Sequence, residues 1–486
     1  MRAMDEGSAI RASEAASAAD GRDRGTPVTG AIAKPSARRA ALLALSDVLW
    51  LLAFYGVGAS LILSGFGAGA TSAASAIAAA LSLVMFFSLG LYDRDAMYND
   101  AIATQRLAIA GVADFVLFYF ALAVLVPLHQ GGRAFLGLFL AVMAGHAAAF
   151  AARLAIVHRF RLPVMRRAIV VIGCGARAAR LRRIVDRAMP HEIRIVGHVA
   201  AGDAPGARRG HMPLLDARDG LPVLVRATGA DEIVVAAEDR HGMGMDDLLR
   251  CKAAGLPVRD DTRFLEEEVG YVDTATATAE WFVFGGGFAR SDAYRLAKRG
   301  FDVVASLLTL VVAVPLLALV ALAIRLESAG PILFRQERVG LDGRSFVLVK
   351  FRSMRLDAEA DGPRWAAAGD SRVTRVGRLL RATRLDELPQ VLNVLAGSMS
   401  FVGPRPERPV FVSQLERALP FYAERHRVKP GITGWAQINY PYGASFDDAR
   451  EKLAFDLYYV KNAGLLLDLL ILLQTLRVVL FRSGAR

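Results

Sequence analysis

Two adjacent carboxylates, Asp386 and Glu387, share one soluble stretch with Lys350, Arg352, Arg381, Arg384 and Arg405. The stretch carries a KFRSM segment, an R-x-T-R-L-D-E-L-P-Q segment and an MSFVGPRP segment in that order. Cationic side chains hold phosphate oxygens. A carboxylate attacks phosphorus or holds Mg²⁺. An acidic pair set among many cations therefore points to phosphoryl transfer.

The local pattern also places the pair. In LDELPQVLNVLAG, Pro389 is tolerated only in the first turn of a helix, and Gly397 suits its end. Asp386 and Glu387 are then expected at a helix N-terminus, where the dipole favours negative charge by roughly 0.3–1 kcal/mol and keeps a carboxylate ionised. The same place receives phosphate. Taken singly, an acidic pair at a helix start is a cap, and Arg381 and Arg384 are surface ion-pair partners worth little. Structural needs do not explain these features together with Lys350, Arg352 and the Gly403-Pro404-Arg405-Pro406 turn.

The elements that hold this block begin in a membrane. The chain has 486 residues, a hydrophobic content of 54% and a mean hydropathy of +0.35, with the apolar excess gathered at 41–63, 75–91, 107–128 and 134–157. Each run is about long enough to span ~30 Å of hydrocarbon, the second being the shortest. A soluble four-helix bundle would carry more charges inside these runs. The net charge of +12 and pI of 10.0 suit nucleic acid or a membrane. Basic residues beside the apolar runs select the lipid bilayer, and no nucleic acid is expected. The N-terminal tail 1–40, with Arg22, Arg24, Lys34, Arg38 and Arg39, is predicted to be disordered. Arg94, Arg106, Arg159, Arg161, Arg166 and Arg167 face links that are uncharged (64–71) or hold only Arg133. That asymmetry puts both ends of the four-helix transmembrane bundle (41–158) in the cytoplasm of a bacterial cell, at the inner membrane. Cys174 and Cys251 then lie in the cytosol, where a disulfide is not expected.

Past residue 165, β-branched runs (AIVVIG, IRIVGHV, DEIVVAA) alternate with helical ones, which predicts a Rossmann-like α/β cytosolic domain over 165–265 with a parallel sheet. Gly173-x-Gly175-x-x-Ala178 sits at its first strand-to-helix turn, where a dinucleotide pyrophosphate would bind. The acidic candidate for ribose is Asp203, about thirty residues on rather than ~20. Two readings stand: a nucleotide or regulatory ligand site, or a tight turn in a domain without a cofactor. The second is preferred.

A linker (266–296) leads to the catalytic domain, 297–486. Its apolar segment 301–324 has Pro315 near the centre, with Arg295, Lys298 and Arg299 before it and Arg325, Arg335 and Arg338 after it. Basic ends on both sides suit a re-entrant helix that returns to the cytoplasmic face, and the proline breaks one backbone hydrogen bond as such a turn requires. A kinked fifth transmembrane helix is the other reading. It would separate the 350–440 block from cytosolic substrates. The final run 465–481, interrupted by Asp468, Gln474 and Arg477, reads as an amphipathic helix on the membrane surface or against the core.

From Lys298 to Arg486 the sequence resembles the bacterial sugar transferase family, the monotopic polyprenyl-phosphate phosphoglycosyl transferases. The matching pieces are KRGFD, the segment with Pro315, GPILFRQERVG, KFRSM, RLDELPQVLNVLAGSMSFVGPRP, RHRVKPGITGWAQIN and FDLYYVKN. The upstream helices and Rossmann-like domain look like the large members that start exopolysaccharide or O-antigen repeats. NYPYG and the final VVLF-x-x-G-A-R are similar to an exopolysaccharide-associated branch. The resemblance implies an α/β monotopic catalytic domain that moves a hexose 1-phosphate from a UDP-sugar to undecaprenyl phosphate and releases UMP. Asp386 would be the nucleophile of a covalent phosphosugar intermediate, and Glu387 would help hold Mg²⁺ (or Mn²⁺). Lys350, Arg381 and Arg405 occupy the family's basic positions and would bind phosphate oxygens. Asp468 matches a recurrent acid of unassigned role. Where much of the family has Asn-Gly-Arg, this chain has Asn439-Tyr440-Pro441, which leaves the sugar open. A homo-oligomer is a further expected arrangement.

Two other function classes remain. A membrane-anchored NAD-dependent nucleotide-sugar dehydratase or epimerase would use the Gly173 turn and the Tyr294-x-x-x-Lys298 pair. A non-enzymatic scaffold of an export complex would leave the acidic pair dispensable.

Overall fold

Four apolar runs fold as long helices: α1 Ala37–Ile62, α2 Ala68–Ser88, α3 Asp100–Leu125 and α4 Gly131–Arg159. The structure is a computed structural model that describes residues 37–481 other than 63–67, 93–95, 97–99, 126–130, 160–165, 191, 201–212, 240–242, 289, 359–369, 441–442 and 444. Residues 1–36 of the N-terminal tail, Asp203 and Pro441 thus lie outside the described residues, while residues 37–40, expected to be disordered, form the first turn of α1. Each helix is long and apolar enough to cross a membrane. Helix α2 starts well before the expected residue 75. Its first turns are Ala, Gly, Ser and Thr, too small to register as an apolar run but strongly helix-forming where Ala dominates. Their hydroxyls are satisfied on the helix itself, with Thr71 donating to Ala68 O at 2.9 Å and Ser75 to Thr71 O at 2.7 Å.

Helix α1 packs on α2 and α4, and α3 on α2 and α4. A Cβ on Gly58 would lie 2.5 Å from the Ala141 Cβ, so a small residue lets α1 and α4 approach closely. Buried ionic groups tie the helices together. Arg153 of α4 donates to Asp47 of α1 at 2.5 Å, and Tyr92 donates to the same carboxylate at 2.9 Å. His146 of α4 faces Asp114 of α3 at 3.2 Å.

The next unit is a four-stranded parallel sheet in the order β2-β1-β3-β4, built from β1 Arg167–Ile172, β2 Ile193–Val199, β3 Glu232–Val235 and β4 Val258–Asp260. Strand side chains alternate between faces. Ile169, Val171 and Val234 enter one core with α5 (Ala176–Ala188) and α8 (Asp261–Val269). Val170, Ile172, Ile233 and Val235 enter another with α6 (Leu221–Thr228) and α7 (Met245–Ala253). A strand buried on both faces reads as one continuous apolar run, which is why AIVVI signalled it.

The first of those cores does not stop at the domain edge. It runs through Tyr271 and Val272 into Trp435, Leu453, Phe455 and Tyr458 of the C-terminal domain. Trp435 donates to Gly270 O at 2.7 Å, Tyr271 to Glu451 at 2.9 Å, and Lys461 pairs with Glu266 at 2.7 Å. Much of 266–296 is therefore packed chain, with a short helix α9 (Ala279–Phe284) inside it.

Helix α10 (Asp292–Glu327) is 36 residues long and contains Pro315. Both its ends are fastened to the C-terminal domain. Near the start, Arg299 donates to Val394 O and Leu395 O at 2.7 and 2.6 Å, and Asp302 accepts from Ser400 Oγ at 3.0 Å. Near the finish, Val320 and Ile324 pack on Phe351 and Leu380. Between them Val304, Leu308, Val311, Val312 and Leu319 are exposed. The remaining elements are an antiparallel hairpin, β5 Leu333–Val339 with β6 Ser345–Phe351; helices α11 Arg375–Ala382 and α12 Val391–Ala396; a parallel pair, β7 Ser400–Val402 with β8 Gly431–Thr433; and helices α13 Pro409–Ala418, α14 Trp435–Asn439, α15 Phe446–Asn462 and α16 Leu465–Phe481. Helix α16 buries Asp468, Ile471 and Gln474, leaves Leu466 exposed, and packs against α2.

Candidate active site

Lys350 stands on β6, directly across the hairpin from Phe334, and its ammonium lies 5.2 Å from the centre of that ring. The strand packs on the helix that carries the acidic pair and is tied to the next one by a side chain. Asn393 of α12 donates to Val347 O at 2.7 Å and accepts from Val349 N at 3.0 Å, as a neighbouring strand would. The pair itself lies on a 3-10 helix, Leu385–Gln390, that runs into α12. The expected helix start is thus a 3-10 turn, with Pro389 inside it and Gly397 (φ +90) ending α12. Arg384 just before it adopts φ +60. A left-handed arginine costs about 1–3 kcal/mol and is kept only where the surroundings impose it.

Asp386 and Glu387 are both buried but do not share one environment. Glu387 accepts from Arg405 at 2.6 Å and lies 3.6 Å from Arg384. Burial alone would raise its pKa, but the Arg405 charge and hydrogen bond, with Arg384 and Lys350, outweigh burial and bring it to about 2. Asp386 has no side-chain hydrogen bond among the described residues. Burial and then the neighbouring Glu387 charge push its carboxyl up to about 6, against the pull of Lys350, Arg381 and Arg405. Lys350 is itself lowered by burial to about 8. A helix dipole was expected to keep the pair ionised alike. Burial and mutual repulsion instead yield one fixed anion and one more basic, unengaged carboxylate.

Arg405 sits on a stiff support. Glycines 403, 431 and 434 allow backbones to touch, since a Cβ on Gly434 would lie 2.2 Å from Gly403 O and one on Gly431 2.1 Å from Gly403 N. Pro404 and Pro406 flank the arginine, and Arg338 donates to Pro406 O at 2.9 Å.

The structure draws Lys350, Arg381, Arg384, Arg405, Asp386 and Glu387 into one electrostatic group. It sends Arg352 elsewhere. That guanidinium is buried and donates to Ala329 O, Ser328 O and Ser328 Oγ at 2.8–2.9 Å, closing the end of α10. Asp468 gains a place: it pairs with Lys298 at 2.6 Å and accepts from Tyr459 at 2.7 Å, fastening α16 to α10. Asn393, Asp302, Arg425 and Asp456 had escaped sequence reasoning. Their partners are far off in the chain, and spacing carries no signal of them.

At the Gly173 turn, packing accounts for the glycines. Gly173 has φ +126, and a Cβ there would lie 2.4 Å from Ala236 O. A Cβ on Gly175 would meet Glu238 Oε1 at 2.6 Å, and the same oxygen accepts from Ala176 N at 2.7 Å. Ala178 is buried in the core below. A carboxylate of the chain itself therefore occupies the helix start that a pyrophosphate would use.

A family model described as bacterial sugar transferase matches residues 293–482, from the foot of α10 through α16. The chain is 44% identical over 239 residues to a UDP-N-acetylgalactosamine-undecaprenyl-phosphate N-acetylgalactosaminephosphotransferase of Aeromonas hydrophila, covering 49% of this chain and 56% of that one. It is 35% identical over 348 residues to an undecaprenyl-phosphate glucose phosphotransferase of Komagataeibacter xylinus, covering 66% and 60%. With a UDP-glucose:undecaprenyl-phosphate glucose-1-phosphate transferase of Caulobacter vibrioides it shares 44% identity over 218 residues, 44% of this chain and 81% of that one. The matches thus span a little over half the length of the first two relatives, and most of the third. With the seven matching pieces in order around one acidic pair, the chain belongs to the bacterial sugar transferase family.

Proposed function

We propose that this chain transfers a hexose 1-phosphate from a UDP-sugar to undecaprenyl phosphate and releases UMP, as the first membrane step of exopolysaccharide biosynthesis. One observation carries the reading: of two buried neighbouring carboxylates, Glu387 is engaged by Arg405 while Asp386 has no side-chain hydrogen bond among the described residues and is more basic. Asp386 Oδ attacks the phosphorus bonded to the sugar, and the bond to the UMP oxygen breaks. The acyl phosphate so formed is then attacked by an oxygen of undecaprenyl phosphate, which regenerates the carboxylate and leaves a lipid-linked sugar diphosphate. Lys350, Arg381 and Arg405 hold the phosphate oxygens through both displacements.

Among the described residues no group of three or more metal-ligating side chains exists. The acidic pair still fits Mg²⁺ or Mn²⁺, because such ions commonly take one or two carboxylates and complete their shell with substrate phosphates. Glu387, fully ionised, would hold the ion beside Asp386. A divalent ion there supplies neutralisation of diphosphate charge as UMP leaves.

The membrane placement follows the same reading. Helices α1 to α4 cross the inner membrane, and α10 enters and returns on the cytoplasmic face. In support, Arg299 and Ile324 would be about 37 Å apart on a straight helix, yet their anchors, Val394 and Phe351, belong to elements joined by Asn393. Purified protein incubated with undecaprenyl phosphate and a panel of UDP-sugars, UDP-glucose and UDP-N-acetylgalactosamine included, tests the reaction. UMP and a lipid-linked sugar are expected with at least one donor. Failure with every donor would refute the proposal.

A further inference from the structure

Arg425 is buried, lies outside the cations assigned to substrate, and touches the active site at a single point. Its guanidinium donates to Asp456 at 2.7 and 3.0 Å, to Tyr422 Oη at 3.0 Å, and to the backbone carbonyl of Arg405 at 2.9 Å. Asp456 comes from α15 and is itself buried. We propose that Arg425, held by Asp456, is a positioning residue that fixes the Arg405 backbone and so aims the Arg405 guanidinium at Glu387.

The need for such a residue follows from the loop. Pro404 and Pro406 donate no backbone hydrogen bond, so no strand ladder can hold Arg405 from both sides. The carbonyls of residues 405 and 406 are taken instead by the side chains of Arg425 and Arg338. The planar fork matters: a guanidinium serves Asp456, Tyr422 and the carbonyl at once, whereas an ammonium is a point charge that cannot span all three. Removing the fork frees the Arg405 main chain, and its side chain then leaves Glu387 by an ångström or so.

The inference rests on the transfer reading for its kinetic consequences but not for its structural one, and the test separates them. Arg425→Lys keeps the charge and is the first variant. Arg259→Lys is the control, since Arg259 is a mostly buried arginine of the middle domain paired with Glu232, Glu267 and Glu268. Hydrogen exchange read by mass spectrometry should show a peptide covering 399–409 exchanging about tenfold faster in Arg425→Lys, and unchanged in Arg259→Lys, because only the first releases that loop. This readout needs no turnover. With an active donor, Arg425→Lys should lower kcat for UMP release about a hundred-fold, the scale of an ångström of misplacement, with KM for UDP-sugar little changed. Asp456→Asn, which keeps the shape and weakens the hold, should show the same changes in smaller measure. Unchanged exchange in the 399–409 peptide overturns the inference, as does activity lost only in proportion to unfolded protein with kcat per folded enzyme unchanged.

Discussion

Arg405 donates to Glu387 at 2.6 Å, and this contact separates the electrostatics of two carboxylates adjacent in the chain. A charged fork on one of them leaves the other to bear the cost of burial and repulsion, and that other is Asp386. The basicity of the proposed nucleophile is thus set by its burial and by the Glu387 charge, with Lys350, Arg381 and Arg405 pulling the other way.

The pH dependence of UMP release follows from this. As the proposed nucleophile, Asp386 would attack only when deprotonated, so activity should fall as pH drops through about 6. Lys350, as a proposed phosphate ligand, would hold it only when protonated, so activity should fall again as pH rises through about 8. A bell with limbs near these values is the expected profile. Arg405→Gln removes a charge that lowers the Asp386 pKa, so its acid limb should shift upward, and kcat should drop by about 10²–10³, as when one preorganised donor is lost.

Metal dependence is the second expectation. Asp386 and Glu387 add negative charge beside a substrate diphosphate, so turnover should require Mg²⁺ or Mn²⁺ and stop with chelator. Glu387→Gln should raise the Mg²⁺ concentration for half-maximal rate while leaving folding intact. Full activity in excess chelator would remove the role assigned to Glu387.

The path of α10 is open to labelling. Cysteine labels near Arg290 and Arg335, on either side of α10, should both react from the cytoplasm. A periplasmic report at the second label contradicts a returning helix. Pro315→Leu restores the missing hydrogen bond and should lower activity by straightening the segment.

The turn at Gly173 should bind no dinucleotide. Glu238 already accepts from Ala176 N at 2.7 Å, so calorimetry with NAD should show no heat for the wild type. Saturable binding at micromolar concentration would restore the ligand-site reading.

The acidic pair, Lys350 and Arg405 were legible in the sequence because they sit in short contiguous motifs whose residue types name a chemistry. The four apolar helices and the parallel strands were legible because length and periodicity are local. Arg352 was not: it belongs to the same KFRSM segment as Lys350, but the strand ends at Phe351 and the Arg352 side chain turns to Ser328 and Ala329. Arg425 and Asp456 pair across 31 residues and Lys298 and Asp468 across most of the domain, and such contacts exist only once the chain has folded. The splitting of Asp386 from Glu387 was likewise out of reach, since it depends on burial and on where Arg405 ends up.

The central claim is a sugar phosphate carried on Asp386. Intact-protein mass spectrometry of the wild type, incubated with an active UDP-sugar and no lipid acceptor, measures it directly. The account predicts a gain of one hexose phosphate with release of UMP, its loss on adding undecaprenyl phosphate, and no gain in folded Asp386→Asn. A wild type that never gains the adduct, with initial rates that fit a ternary complex of donor and lipid, would contradict it and make Asp386 a base or a metal ligand for direct attack by the lipid phosphate.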